Sequence, residues 1–551
     1  MKPFGAGLFG LHRENFKNCC FDYCLVQALE ACTAKANQAS SAHDWTLDAK
    51  ATQEDYGELT KASTAAVASA NGNFARSLGR KFDYPIDLSM VKIPLKLKKG
   101  TGYEDVIWPM LLPDDVWAFL ESKGVLRDML AGADTNLSQF WHAVQSSDHG
   151  PALLQGLEGA DKNRLLPVRL HGDDGAAYRD KPWTFASWTG ISPEPFDRFC
   201  LCAIPKSRHA VVAGVDLTLV KIGQVLKDSF ERLRDGIPGS QYRAVILCFQ
   251  ADLAFFKEFF VQQRHYGCLK MCWSCLAERT SGQKRFWDVR DQAWWQGTIF
   301  QHHEPSPQPL LTLKGFGLHM LSQDLLHTLF LGVAEDVNGS AVACLVRGGM
   351  TVLQLFTSFD QWCKAHFVQL RSTIQCFTSC MNECQSGKKY PHLKMSKGYD
   401  QKVLICFMSG LRDKFEGAGG EELWSAIYYL GRFIKTLDEE ALVMTEAGRN
   451  QCVADLDVFV KMWVALALKR YVGEGQLGVG VSDFKVRDKL HYLLHLLKNM
   501  RGSRINPRIG STFNAESFIG DVKAICATCH PNTAGTGVLQ KLMLRLALHL
   551  R

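Results

Sequence analysis

The chain has 551 residues, 46% of them hydrophobic and 22% charged, and its 63 Lys+Arg outnumber 56 Asp+Glu for a net charge of +7. One compact core does not cover that length, so about two to four domains are expected, and the composition excludes a largely disordered chain. The mild positive balance permits a polyanionic partner without demanding one.

Residues 1 to 60 carry an amphipathic pattern around Cys24, Leu25, Val26 and Leu29 that predicts helix. Neither a signal-type apolar core nor a run of about 18 to 20 apolar residues is read from the sequence, so no membrane span is expected. The nineteen cysteines are scattered through a long chain and read as reduced intracellular thiols, some of them metal ligands. That places the chain in the nucleus or, failing that, the cytoplasm. Residues 61–73 are rich in Ala, Ser, Thr and Gly, and helix and tether are both open. Pro85, Pro94, Pro109 and Pro113 then punctuate short apolar runs. The basic run Lys92-Ile93-Pro94-Leu95-Lys96-Leu97-Lys98-Lys99 reads as an exposed edge strand or loop, with DNA contact or nuclear import as the functional alternative. Residues 1–160 together are expected to form a mainly helical region.

From Leu165 the order of elements becomes informative. An apolar strand over 165–173 ends in His171-Gly172-Asp173-Asp174-Gly175, and β-type runs follow at 183–188 and 199–204. A helix is predicted over 216–234 from apolar residues at Leu219, Ile222, Val225, Leu226, Phe230 and Leu233, with Asp216 at the N-cap position. A strand over 243–250 leads to Asp252, and a helix over 253–262 follows. This β-β-β-α-β-α order is that of a ribonuclease H-like core, in which the first and fourth strands are neighbours. The α/β core is assigned to 161–264. Helical spacing at 324–344, 352–377, 402–415, 421–437 and 456–472 predicts a large, mainly α-helical insertion over 265–505. Residues 506–551 return to the core with a helix opened by Glu516.

Asp173 and Asp252 close their strands, and Glu516 opens a helix, so the three carboxylates can meet. Three such groups suit a divalent metal and phosphoryl transfer. Asp-Asp-Gly is also ordinary turn chemistry; strand alternation sends Asp173 and Asp174 to opposite sides, and Asp173 is preferred. Cys272-Trp273-Ser274-Cys275 offers two thiolates at zinc-binding spacing, which needs two more ligands. The candidates are His302, His303, His319 and the pair Asp324/His327, with His327 and one of His302 or His303 the nearest; buried unliganded thiols are the plain alternative. Asp324 and His327 share a helix face, where an internal hydrogen bond is the default. Before Glu516 the chain is basic, with Lys485, Arg487, Lys489, Lys498, Arg501, Arg504 and Arg508 against Asp483 and Asp488. That run is a solvated face or, beside a metal site, a place for phosphates.

The blocks Asp252-Leu253-Ala254-Phe255-Phe256, Cys272-Trp273-Ser274-Cys275, Gly317-Leu318-His319-Met320 and Asp324-Leu325-Leu326-His327-Thr328-Leu329-Phe330-Leu331-Gly332-Val333 resemble the cut-and-paste transposases of CACTA (En/Spm-type) elements, closest to transposase-like proteins of protists. Asn506-Pro507-Arg508, Glu516-Ser517-Phe518-Ile519-Gly520 and Cys529-His530-Pro531 share that likeness, which covers about 165 to 535. The resemblance implies a DDE recombinase using Asp173, Asp252 and Glu516 to hold Mg²⁺ (or Mn²⁺) and to cut and join DNA strands at transposon ends, as a monomer or homo-oligomer. It matches Cys272 and Cys275 to the family's C-x-x-C, and Asp324 and His327 to its D-x-x-H. Ala251 stands where the family often has Gly, Ala515 stands where it often has an acid, and no N-terminal DNA-binding finger is visible. The alternative expectation is therefore a catalytically inactive, host-adopted relative that binds DNA or protein.

Overall fold

The computed structural model describes residues 84–550 apart from 178–180, 193–197, 281, 302–305, 372–373, 380–389, 396, 412–419, 470–483 and 531–532. The expectations for 1–60, 61–73, His302, His303 and Asp483 fall outside the described residues. The described part of the N-terminal region opens with a β-hairpin rather than a helix. Strands β1 (Ser89–Lys96) and β2 (Tyr103–Met110) pair antiparallel from Ser89 opposite Met110 to Lys96 opposite Tyr103. Ile93 and Leu95 are fully buried, whereas Lys92, Lys96, Lys98 and Lys99 are exposed. The basic run is thus a strand and turn with one apolar face, anchored by period-two alternation.

Helices α1 (Pro113–Ser122), α2 (Leu126–Ala131) and α3 (Leu137–Gln145) follow. Trp141 of α3 donates from Nε1 to the Leu165 carbonyl at 2.7 Å, which fixes the start of the next strand. Strands β3 (Leu165–Ala176), β4 (Pro182–Thr189), β5 (Arg198–Pro205) and β6 (Arg243–Gln250) form a four-stranded mixed sheet in the order β5-β4-β3-β6. β4 runs antiparallel to β3 and β5, and β6 runs parallel to β3. Every residue from Leu165 to Asp173 is buried, as a central strand covered on both faces requires. Helix α4 (Leu217–Asp235) makes the crossover from β5 to β6. The Asp216 carboxylate accepts from Leu219 N at 3.1 Å, the N-cap role its position suggested, and Leu219, Ile222, Leu226, Phe230 and Leu233 are buried. Helix α5 (Leu253–Phe259) starts directly after β6.

Beyond α5 the regular structure is helical. A π-helical segment, Leu326–Val333, runs into α6 (Ala334–Arg347). The stretch Leu326–Arg347 has 22 residues and a mean hydropathy of 1.5, long and apolar enough by length and composition to cross a membrane, but 83% of its apolar window is buried inside the protein. The helix expected over 324–344 is this one, and Glu335, Asp336 and Asn338 interrupt its apolar residues. Helix α7 (Val352–Ala365) stops short of the expected 377: His366 leaves the helix and Phe367 takes a positive φ of 54°. Helices α8 (Gly398–Ser409), α9 (Glu421–Glu439), α10 (Glu446–Lys469) and α11 (Asp488–Arg501) pack in succession. Helix α12 (Phe513–Ala527) packs on β3, and α13 (Ala534–His549) on β5 and β2. All cysteines among the described residues are free thiols.

Candidate functional site

One end of β6 gathers the polar groups that matter. Gln250, the last residue of β6, donates from Nε2 to the carbonyls of Ile509 (2.8 Å) and Ser511 (3.1 Å). Arg169 of β3 reaches the same Ile509 carbonyl at 3.1 Å. These bonds pin the turn that precedes α12 against the sheet. On the outer edge of β6, Ser322 N donates to the Phe249 carbonyl at 2.9 Å and Leu321 bridges Phe249 in parallel. Segment 321–324 therefore continues the sheet edge and delivers Asp324 to the same place.

Asp173 sits on β3 in the register opposite Phe185, and its side chain is buried. Asp174 goes the other way, to Thr184 and Lys206, so alternation separates the two as expected. Asp252 caps α5, its Oδ1 accepting from Phe255 N at 2.6 Å, which leaves Oδ2 uncommitted by that cap. Gly172 lets α5 approach, since a Cβ there would stand 2.1 Å from the Phe255 ring. Glu516 lies in the first turn of α12. The Asp173 carboxylate feels the charge of Asp252, and Glu516 feels that of Asp173. Asp173 is thus within electrostatic reach of each of the other two. Asp216 instead accepts from His209, with 2.6 Å between its Oδ2 and Nδ1, and takes no part.

Asp324 and His327 form a dyad. The fully buried Asp324 carboxylate accepts from Leu326 N, His327 N, Thr512 N and Thr512 Oγ1 at 2.8–3.0 Å, and from His327 Nδ1 at 2.5 Å. Those partners lower its proton affinity despite burial, which acts the other way. The bond at Nδ1 directs Nε2 toward Glu516 Oε1, 3.8 Å away. The internal bond read from the i, i+3 spacing exists, and it aims the ring at the three acids.

Burial, then the charge of Asp173, pushes the Glu516 carboxyl up to about 7, against the opposing pull of His327 and Lys523. Burial likewise raises Asp173, with Lys523 opposing and Asp252 adding. His327 is raised: burial resists its charge, but Asp324, Glu516 and Asp252 outweigh that. Each shift lies above the ordinary value, so each stabilises the fold below the ordinary pKa and loses that contribution as pH rises through the shifted one. The melting temperature of the protein without divalent cations should fall between pH 5 and pH 8. Glu516→Gln should flatten that slope and raise the melting temperature by several degrees at pH 8, as differential scanning fluorimetry would register. A slope unchanged in the variant would remove Glu516 as its source.

The chain matches no model of a known protein family and none of the curated proteins.

A second constellation lies apart from the acids. Cys272, Cys275, His491 and His495 are all buried, with their ligand atoms within 4.8 Å of one another. Cys272 Sγ stands 3.3 Å from His495 Nε2, Cys275 Sγ 3.2 Å from His491 Nε2, and the two Nε2 atoms 3.1 Å apart. Zinc bonds of about 2.0–2.3 Å on a tetrahedron require ligand separations of about 3.3–3.8 Å, so the set fits a metal such as zinc after a shift of a few tenths of an ångström. His491 Nδ1 meets the Phe286 carbonyl at 2.7 Å, which assigns the proton to Nδ1 and leaves Nε2 as the donor atom. Backbone N–H groups of Ser274 and Ala277 donate to the two sulfurs, and Arg264 ties together the carbonyls of Cys272, Cys275 and Ala277. Burial opposes it, but Cys275 and the two imidazoles hold the Cys272 thiol well below its usual range; burial and the Cys272 sulfur push Cys275 up. His327, expected as a ligand here, belongs to the acidic site instead, and His319 packs at a tilt against His149 and edge-on against Phe300.

The basic approach is largely tied down. Arg501 pairs with Asp457 at 2.8 Å and with Asp291 at 3.4 Å. Arg504 donates to the Met444 carbonyl, and Arg508 to the carbonyls of Leu437 and Asp438 at the end of α9. Lys498 is half-buried on α11. Arg487, just before that helix, and Lys489 in its first turn donate to the Gly332 and Leu331 carbonyls of the π-helical segment.

Proposed function

We propose that this chain is a DDE-type DNA transposase, similar to those of CACTA elements, that cuts and joins strands by metal-dependent phosphoryl transfer. In this reading the sheet with α4, α5 and α12 is a ribonuclease H-like core, and the helices between α5 and α12 are an insertion within it. The observation that carries the reading is that Asp173, on one of two parallel neighbouring strands, lies within electrostatic reach of both Asp252, just past the end of the other, and Glu516 at the start of α12.

The donor set fits a hard divalent cation: three carboxylates, all supplying oxygen, with Glu516 pushed up to about 7 by burial and the charge of Asp173. When bound, Mg²⁺ or Mn²⁺ supplies a Lewis acid that stabilises charge on a phosphoryl oxygen and lowers the pKa of water. The chain does the rest. Asp173, Asp252 and Glu516 hold the cation, Asp324 fixes the His327 ring, and His327 Nε2 holds or accepts a proton beside Glu516. The buried Cys272, Cys275, His491 and His495 are assigned a structural zinc, since four protein ligands leave no open position. Arg501, Arg504 and Arg508 are exposed, and a guanidinium has five donors; anchored by one or two bonds, each retains donors for DNA phosphates. Lys498 adds a charge on the same side of the sequence. A DNA substrate places the reaction in the nucleus.

Purified protein incubated with duplex DNA and Mg²⁺ should nick it, and should join a 3′-hydroxyl end to a second duplex. Nicking without joining would make the chain a nuclease of the same core. Binding of DNA without nicking would favour the inactive, adopted relative.

A further inference from the structure

Lys523 stands two helical turns after Glu516 on α12, hence on the same face. Its Nζ lies 3.1 Å from Asp173 Oδ2, with side-chain exposures of 25% and 11%. The approach runs over Gly175, which shares a face of β3 with Asp173. A Cβ at Gly175 would lie 2.0 Å from Nζ and 2.1 Å from Cε of Lys523. The missing side chain at Gly175 is therefore what opens the path for the lysine to reach the acid.

We propose that Lys523 serves as an internal counter-ion that fills in for the divalent cation in the metal-free protein and surrenders Asp173 when the metal binds. This rests on reading the three acids as a divalent-cation site. Like charges on the buried Asp173 and on the half-buried Asp252 and Glu516 oppose one another, and a cation is the remedy. An ammonium is compact and strongly hydrated, and sits on a flexible four-carbon stem. It supplies one charge and pairs directly with Asp173 here, whereas a divalent cation supplies two charges to several oxygens. The stronger ligand wins the acids, and the partly exposed lysine has a way out to solvent. An arrangement of this kind keeps the acids in place before loading and makes the lysine a competitor for metal.

Lysine acylation read by peptide mass spectrometry tests this on the unaltered full chain in magnesium-free buffer. Added Mg²⁺ should raise the labelling rate of Lys523 several-fold, while Lys541, which donates to Thr528, keeps its rate. A Lys523 rate unchanged or lowered by Mg²⁺ would overturn the proposal. Mn²⁺ binding, followed by the loss of the free-ion paramagnetic signal, provides the second arm. Lys523→Met should bind Mn²⁺ several-fold tighter than the unaltered chain, and Gly175→Ala, which crowds the lysine off its path, should shift affinity in the same direction. Equal or weaker binding by Lys523→Met would overturn the competition while leaving the acids as a metal site. Failure of all three proteins to bind Mn²⁺ would overturn both.

Discussion

Asp173→Asn, Asp252→Asn and Glu516→Gln are each expected to abolish Mg²⁺-dependent nicking while leaving DNA binding and fold in place. Each change keeps the shape of the side chain and removes one negative charge from the set that would hold the cation. A metal site contributes several kcal/mol of transition-state charge stabilisation, and about 1.4 kcal/mol is tenfold in rate, so losses of about 10³-fold or more follow. The fold should survive for reasons particular to each position. Asparagine at 252 still presents an oxygen to Phe255 N and keeps the cap of α5. Glutamine at 516 relieves a buried carboxyl of ionisation that burial and Asp173 already oppose. Asparagine at 173 leaves Lys523 without its carboxylate, and that ammonium is exposed enough to find water. Asp324→Asn is the contrast: it weakens five hydrogen bonds that anchor both the His327 ring and the start of α12, so it should cost stability as well as rate. Gel-based nicking assays with circular dichroism at matched concentration separate the cases. An unchanged nicking rate in one variant removes that residue from the acidic set.

The strands were legible because their burial is written in composition. Leu165 to Leu170, Arg169 apart, and Ala244 to Phe249 are apolar without a helical period; Asp252 stands where the chain leaves the sheet, whereas Asp173, expected to close its strand, lies inside β3, which continues to Ala176 paired with β4. Helix α4 announced itself twice, by its apolar spacing and by Asp216 at its start. The N-terminal hairpin was obscured by Pro94 and Pro109, which break propensity patterns but sit in a two-stranded ribbon, where each strand has one ladder partner. The basic run before Glu516 looked like one surface, yet its arginines were assigned to carbonyl ends and acids far away in sequence, such as Asp457 and Asp438. A charge count cannot see such partners. The histidines of the Cys272–Cys275 cluster were missed although a signal existed. In Leu490-His491-Tyr492-Leu493-Leu494-His495 the two rings are four apart on a helix, the companion spacing to C-x-x-C in zinc sites. Surrounded by leucines, they read as ordinary core, and proximity in sequence favoured His302, His303 and His327 instead.

Removal of the metal from that cluster is the second large effect expected. Elemental analysis of protein purified without chelator should give about one zinc per chain. Cys272→Ser and His491→Ala should each lose it, whereas His327→Ala should retain it, which separates the arrangement seen here from the one the sequence favoured. Structural zinc sites contribute about 10–16 kcal/mol in small zinc-binding peptides, and this one clamps the 272–275 turn to α11. Without it, two buried histidines and two buried thiols keep their mutual contacts and a few backbone bonds but lose the cation that would draw them together, which costs free energy. The consequence should travel along α11. Arg487, the residue that leads into that helix, also pairs with Asp336 at 2.6 Å, and with Lys489 it holds the π-helical segment that contains His327. Chelation with a zinc-selective reagent should therefore lower helical content by circular dichroism and slow nicking even with Mg²⁺ in excess. If metal-free protein keeps its helical signal and its melting temperature, the four side chains are a self-contained hydrogen-bonded cluster, and the stability of α11 comes from its buried leucines alone.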